Sequence, residues 1–174
     1  MLFLLMGGIS LNKNQDVKKL VKLAMVAGIY AALTIGLAPI SYLNVQFRIS
    51  EILVLLVFMN SSYTWALTVG CFIANMLGPN GIGDVIFGTL ATFISCLAII
   101  QTKKYLKDSK YSLIVSSIWP SIINGLIIGL MLNNFYNLPL VLSILEVMMG
   151  EFVVVTIIGV PFFSLFKKKL INLL

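Results

Sequence analysis

Six long apolar runs, separated by short polar stretches, organise this chain. They cover residues 20–38, 51–59, 63–77, 84–100, 112–132 and 142–166. Most approach the roughly 20 residues that an α-helix needs to cross a bilayer. The second is short, and it starts within or is broken by the polar run PISYLNVQFRIS before it. In that run Tyr42, Asn44, Gln46 and Arg48 alternate with Leu43, Val45, Phe47 and Ile49. A period of two predicts an extended segment with two unlike faces. Laid over the mouth of a helix bundle, one face can donate hydrogen bonds while the other packs against apolar neighbours. The other connections are the uncharged NSS turn, the helix-breaking GPNGIG loop and a basic stretch after residue 100.

Charge fixes the topology expected for these runs. Eleven of the twelve basic residues fall in three clusters: Lys13, Lys18, Lys19 and Lys22; Lys103, Lys104, Lys107 and Lys110; Lys167, Lys168 and Lys169. Positive residues are retained on the cytoplasmic side during insertion. Four apolar runs separate the first two clusters and two separate the last pair. The fold expected is therefore an all-α integral membrane protein, a bundle of six transmembrane helices with both termini cytoplasmic. Composition agrees, with 60% hydrophobic and 10% charged residues and a mean hydropathy of +1.06; soluble domains average roughly 25% charged. Cytoplasmic anchors account for the +6 net charge, so it gives no support to nucleic-acid binding. A chain of 174 residues suits one domain. The stretch MLFLLMGGISL is too short to span and lacks the basic start of a signal peptide. Residues 1–17 read as a disordered or interfacial extension, consistent with an upstream start codon, and 18–174 as the membrane domain.

Two of the six acids, Asp16 and Asp108, lie among cytoplasmic lysines. The other four, Glu51, Asp84, Glu146 and Glu151, all fall toward the outer side of the predicted bundle. A carboxylate in hydrocarbon costs about 2.5 kcal/mol or more, so it faces a cavity or a partner and marks function. Asn44, Gln46, Arg48, Asn75 and Asn124 reach similar depth. Together these residues predict an outward-facing polar pocket. Glu146 and Glu151 stand about 140° apart around a helix, and Gly150 leaves room beside Glu151, which makes Glu151 the better pocket residue.

The first run carries two small-residue stripes, Ala24, Gly28, Ala32 and Gly36 on one side and Ala27 with Ala31 beside it. Small residues let helices approach closely in lipid. Cys71 and Cys96 lie within apolar runs and read as packing residues. The chain has no His and no phosphate-binding Gly-rich loop, which excludes Ser-His or His-metal chemistry and any ATPase of its own. No metal ligand set is expected. The function class is a binding or transport module, with a stand-alone proton-coupled carrier of a small polar metabolite as the competing reading.

The strings NVQFRISE (44–51) and GCFIANMLGPNGIGDVIFGTLAT (70–92), with the Gly150-Glu151 pair, resemble the QueT family over most of residues 20 to 168. These are substrate-binding subunits of energy-coupling factor transporters for queuosine precursors. The resemblance implies a non-enzymatic bacterial cell-membrane subunit that captures queuine or a pre-queuosine 7-deazaguanine base, with Phe47, Trp119 or Tyr42 as the aromatic face on which its ring stacks. It implies a partner scaffold subunit and two ATPases that use the ATP, and no cofactor of its own. It also implies a docking pattern of two alanines one turn apart on the first helix, which falls on Ala27 and Ala31.

Overall fold

The computed structural model describes residues 13–43, 45–107, 109 and 111–173. All regular structure among them is helical. Helix α1 runs Lys13–Gly36 and the short α2 runs Ala38–Ser41. Next comes α3, Ile49–Phe58, a 3₁₀ helix, and then α4, Tyr63–Leu77. Helix α5 spans Gly81–Tyr105, α6 spans Ser112–Tyr136, and α7 spans Leu140–Phe166 and continues to Leu173. Among the described residues α1, α5, α6 and α7 are long and apolar enough to cross a membrane; α3 and α4 are shorter apolar helices.

The second apolar run compensates for its length by changing its geometry. Ten residues of 3₁₀ helix rise about 20 Å, against about 15 Å in an α-helix. Its sequence ISEILVLLVF is apolar all round, which suits a helix buried on every side. Val54, Leu55, Leu56 and Val57 are indeed buried in succession. Helices α1, α4, α5, α6 and α7 form an arc of sequential neighbours, and α3 touches every one of them. It is the central rod of the bundle.

Two ends can be distinguished. Lys18, Lys19 and Lys22 line a cleft with Asn60 and Ser62, while Lys103, Lys104 and Lys107 line another with Asn60 and Ser61. The first two basic clusters thus flank the same turn between α3 and α4. At the opposite end three loops meet, with Tyr42, Leu43, Asn80, Leu132, Tyr136 and Leu138 around a cleft of about 350 Å³. Tyr136 donates to the Asn80 carbonyl at 2.7 Å and Tyr42 to the Ala74 carbonyl at 2.6 Å, tying these loops together.

Local sequence explains the tightest joint. Asn137 takes the left-handed conformation (φ 54°) that ends α6, and Pro139 precedes α7. The two helices then pack closely because Gly129 has no side chain; a Cβ there would lie 2.8 Å from Ile144 Cα.

Several helix boundaries differ from expectation, two helix starts among them. Helix α1 begins at Lys13, five residues before the expected start of the membrane domain, while residues 1–12 of the expected extension lie outside the described ones. Helix α5 starts at Gly81, whose positive φ of 68° completes the turn within GPN and lets GIG join the helix.

Candidate functional site

Each of the three deepest acids sits where a helix departs from α geometry. Glu51 is the third residue of the 3₁₀ rod. Asp84 begins a π-helical stretch, Asp84–Gly88. Glu151 immediately precedes another, Phe152–Gly159. Such departures cost hydrogen-bond quality and concentrate at functional sites. The second stretch leads into Pro161, which has no N–H to continue an α-helical ladder.

These helices bring the acids into one buried polar cluster. Arg48 pairs with Asp84, Nη2 to Oδ2 at 2.9 Å, and both side chains are almost wholly buried. Asn80 Nδ2 reaches the same oxygen at 3.3 Å, and Asn75 Nδ2 donates to the Asp84 backbone carbonyl at 2.9 Å. Tyr30 and Thr92 both donate to Glu51 Oε1. Cys71 Sγ lies between the two groups, 3.3 Å from Thr92 Oγ1 and 3.3 Å from Asn75 Nδ2. Glu151 is 1% exposed and close enough to Glu51, Arg48 and Asn124 to feel their charges and dipoles. Neither of its oxygens has a hydrogen bond.

The segment from Tyr42 to Arg48 closes the cluster at the end of the bundle away from the lysine-lined clefts. It is not the extended segment expected, because Gln46 takes the left-handed conformation (φ 45°) and its N–H donates back to the Leu43 carbonyl at 2.9 Å. The polar side chains still turn inward, with Gln46 and Arg48 buried while Leu43 and Phe47 are exposed. Arg48 also stacks over the Tyr42 ring at 5.5 Å. Partial burial pushes the Tyr42 phenol above the usual tyrosine range, with Arg48 pulling the other way. The segment presses on α7 at the residue before Glu151, where a Cβ on Gly150 would collide with the Val45 carbonyl. Gly150→Ala should therefore lift this segment and destabilise the protein by about 1–3 kcal/mol, as overpacking does. Thermal unfolding in detergent checks it, and an unchanged midpoint would mean that the segment does not seat on α7.

Several buried polar atoms of the cluster have no partner: Gln46 Nε2, Arg48 Nε, Glu51 Oε2, Asn75 Oδ1, Asp84 Oδ1, and both Glu151 oxygens. Buried polar atoms are normally hydrogen-bonded, and a group this size left unpaired calls for an explanation. The set contains two donors and five acceptors.

Of the residues singled out by sequence, the structure gathers Gln46, Arg48, Glu51, Asn75, Asp84, Asn124 and Glu151. Asn44 lies outside the described residues. Trp119 is a correction: its Nε1 donates to Thr102, next to Lys103, at the lysine-bearing end of the bundle. Phe47 occupies the closing segment but points to the exposed face. Glu146 is half-buried and makes no contribution to the cluster. Ala27 and Ala31 are also a correction. Each is 7% exposed and packed in the core, with Gly70 of α4 against the Ala27 carbonyl. The sister stripe Ala24, Gly28, Ala32 and Gly36 is the exposed one, and a Cβ on either glycine would meet nothing.

Sequence reasoning missed Tyr30 and Thr92 and gave Cys71 only a packing role. A usable signal was present on α1: Tyr30 and Thr34 stand one turn apart on its inner face, and Thr34 lies 2.6 Å from Ser50, next to Glu51.

Comparison with known proteins bears on this arrangement. The family described as QueT transporter matches residues 20–168. The queuosine precursor transporter QueT of Lactococcus lactis subsp. cremoris (strain MG1363) is 42% identical over 84 residues, 47% of this chain. That match spans 49%, about half, of the relative's length. No solved structure matches the chain.

Proposed function

This chain belongs to the QueT transporter family, and on that premise we propose that it captures a queuosine precursor in the buried polar cluster. The ligand is a 7-deazaguanine base, and the chain is the specificity subunit of an energy-coupling factor importer. The observation that carries this reading is the set of unpaired donors and acceptors around Glu151. A guanine-like edge offers two donors, N1–H and the exocyclic amine, beside the O6 acceptor. Glu151 has two open oxygens for the donors, and Gln46 Nε2 or Arg48 Nε has a proton for O6. Each charge-assisted hydrogen bond contributes about 1.5–3 kcal/mol.

In this reading six crossings place both termini in the cytoplasm of a bacterial cell membrane. The lysine-bearing end faces inward, and the Tyr42–Arg48 segment closes the pocket from outside. The chain binds and does not catalyse. ATP is hydrolysed by two partner ATPases, coupled through a scaffold subunit. The exposed stripe Ala24, Gly28, Ala32 and Gly36 suits close approach by a scaffold helix.

Uptake assays separate the parts of this proposal. Gly28→Trp with Ala32→Trp should abolish ATP-dependent uptake by the assembled transporter while ligand affinity stays within about threefold, a change under 1 kcal/mol. Ala27→Trp should instead lower folded yield, because its site is filled by α4. If the exposed-stripe variant transports normally, docking lies elsewhere. Uptake by the lone protein, driven by a pH gradient without ATP, would contradict the subunit reading.

A further inference from the structure

Six lysines stand around the short uncharged turn that joins α3 to α4. Lys18, Lys19 and Lys22 of α1 line a cleft of about 200 Å³ with Asn60, Ser62 and Tyr63. Lys103, Lys104 and Lys107, at and just beyond the end of α5, line another of about 640 Å³ with Asn60 and Ser61. No Asp or Glu lines either cleft. A cleft bordered by charges of one sign concentrates the opposite ion, so both favour an anion.

The larger cleft adds an apolar component. Besides its three lysines it is lined by Val57, Met59 and Ile100, and Val57 belongs to the buried core of the central rod. Lys103 is held in place there: its Nζ donates to the Met59 carbonyl at 3.4 Å and lies 5.5 Å from the centre of the Phe58 ring. Both partners are neutral, so they position the ammonium without compensating its charge. A lysine that only fixes topology needs no such cleft. A free phosphate would use the lysines and leave the apolar lining idle, whereas an amphiphile uses both. The depth agrees. Tyr105 and Tyr111 are exposed beside these lysines, and Trp119 is anchored on Thr102 at the same end; Tyr and Trp concentrate at headgroup level.

We propose that the larger cleft is a binding site for one anionic phospholipid. Its phosphodiester lies among Lys103, Lys104 and Lys107, and its glycerol and upper acyl chain lie on Val57, Met59 and Ile100. In the topology proposed above this is the cytoplasmic leaflet, where a negative surface attracts basic juxtamembrane segments. Asn60, shared by both clefts, accepts the Ser62 N–H on Oδ1 at 2.9 Å, and its Nδ2 is a donor for headgroup oxygens. Lys18 and Lys19 across Asn60 add positive potential to the same region. The bound lipid ties the end of α3 to the end of α5 and so stabilises the folded bundle. None of this depends on which molecule the protein transports.

The purified full chain in neutral detergent tests the site with phosphatidylglycerol and phosphatidylcholine of identical acyl chains, by native mass spectrometry and thermal unfolding. Phosphatidylglycerol should be retained as a single copy, at least about tenfold over phosphatidylcholine, and should alone raise the unfolding midpoint. Lys103→Gln, Lys104→Gln and Lys107→Gln together should cut the preference to within about twofold. Removing the same charge elsewhere, with Lys167→Gln, Lys168→Gln and Lys169→Gln, should leave it intact. Equal retention of both lipids by the unmodified protein overturns the proposal. Equal loss of preference in the two triple variants overturns it as well, because the attraction then follows net charge and not the cleft. Displacement of the lipid by an equal concentration of inorganic phosphate gives the site to a free anion and overturns the lipid assignment. If the lone protein shows no preference and the cleft variant fails to assemble with partner subunits, the lysines contact a protein and the proposal is wrong. Lys104→Gln with Lys107→Gln, which spares the contacts of Lys103, makes the same comparison if the triple variant does not fold.

Discussion

Replacing Arg48 with alanine should cost about 3–5 kcal/mol of stability, because it strands Asp84 as an unpaired charge inside the bundle. It should also free the Tyr42–Arg48 segment, which loses its stacking on Tyr42 and its anchor on α5. Removing both partners, with Arg48→Met and Asp84→Leu together, should recover most of the lost stability, since a buried pair contributes little beyond an apolar replacement. The double variant should still fail to bind ligand, having lost a donor and an acceptor of the cluster. Unfolding in detergent followed by circular dichroism measures all three proteins. A loss below about 1 kcal/mol for Arg48→Ala would mean that water reaches the pair and that the cluster is not sealed.

Glu151→Gln should move stability and binding in opposite directions. The glutamate is buried with neither oxygen hydrogen-bonded, so the neutral amide should leave the ligand-free protein at least as stable as before. Affinity for the base should fall by one to two orders of magnitude, matching the ~1.5–3 kcal/mol of a charge-assisted hydrogen bond. A purely structural glutamate would not show this split, because its loss would lower both quantities together. Unfolding midpoints with and without ligand give both numbers from one preparation. If Glu151→Gln destabilises the ligand-free protein and binds normally, Glu151 is a packing residue and leaves the site.

Several features of the site were legible in the sequence for simple physical reasons. Lysines in hydrocarbon are costly enough that their clusters mark one end of a bundle, and Lys18 and Lys103 do lie beside the same turn. Glu51, Asp84 and Glu151 are costly enough that they betray a polar interior, and the period of two around Gln46 and Arg48 foretold which face turns inward. Helix geometry was less legible. The second apolar run, too short to span as an α-helix, became part of a ten-residue 3₁₀ rod, and nothing local announces that choice, which depends on five surrounding helices. Helix phase was also hidden. Ala27 and Gly28 belong to adjacent stripes of small residues, and only the position of Gly70 on α4 decides which stripe is buried. Trp119 lies two turns from the start of α6, beside Thr102, so its depth along the helix axis keeps it from the cluster. Tyr30 was overlooked because a tyrosine in an apolar run reads as bulk, although its hydroxyl must find an acceptor once buried.

The central claim is that the cluster around Glu151, Glu51 and Arg48 is built to hold a 7-deazaguanine base. The most direct measurement is a calorimetric titration of the purified chain, without partner subunits, with such a base. The account predicts saturable one-to-one binding with Kd in the nanomolar to micromolar range, about −8 to −12 kcal/mol. No binding of any 7-deazaguanine by folded protein that binds an unrelated small molecule tightly would contradict it.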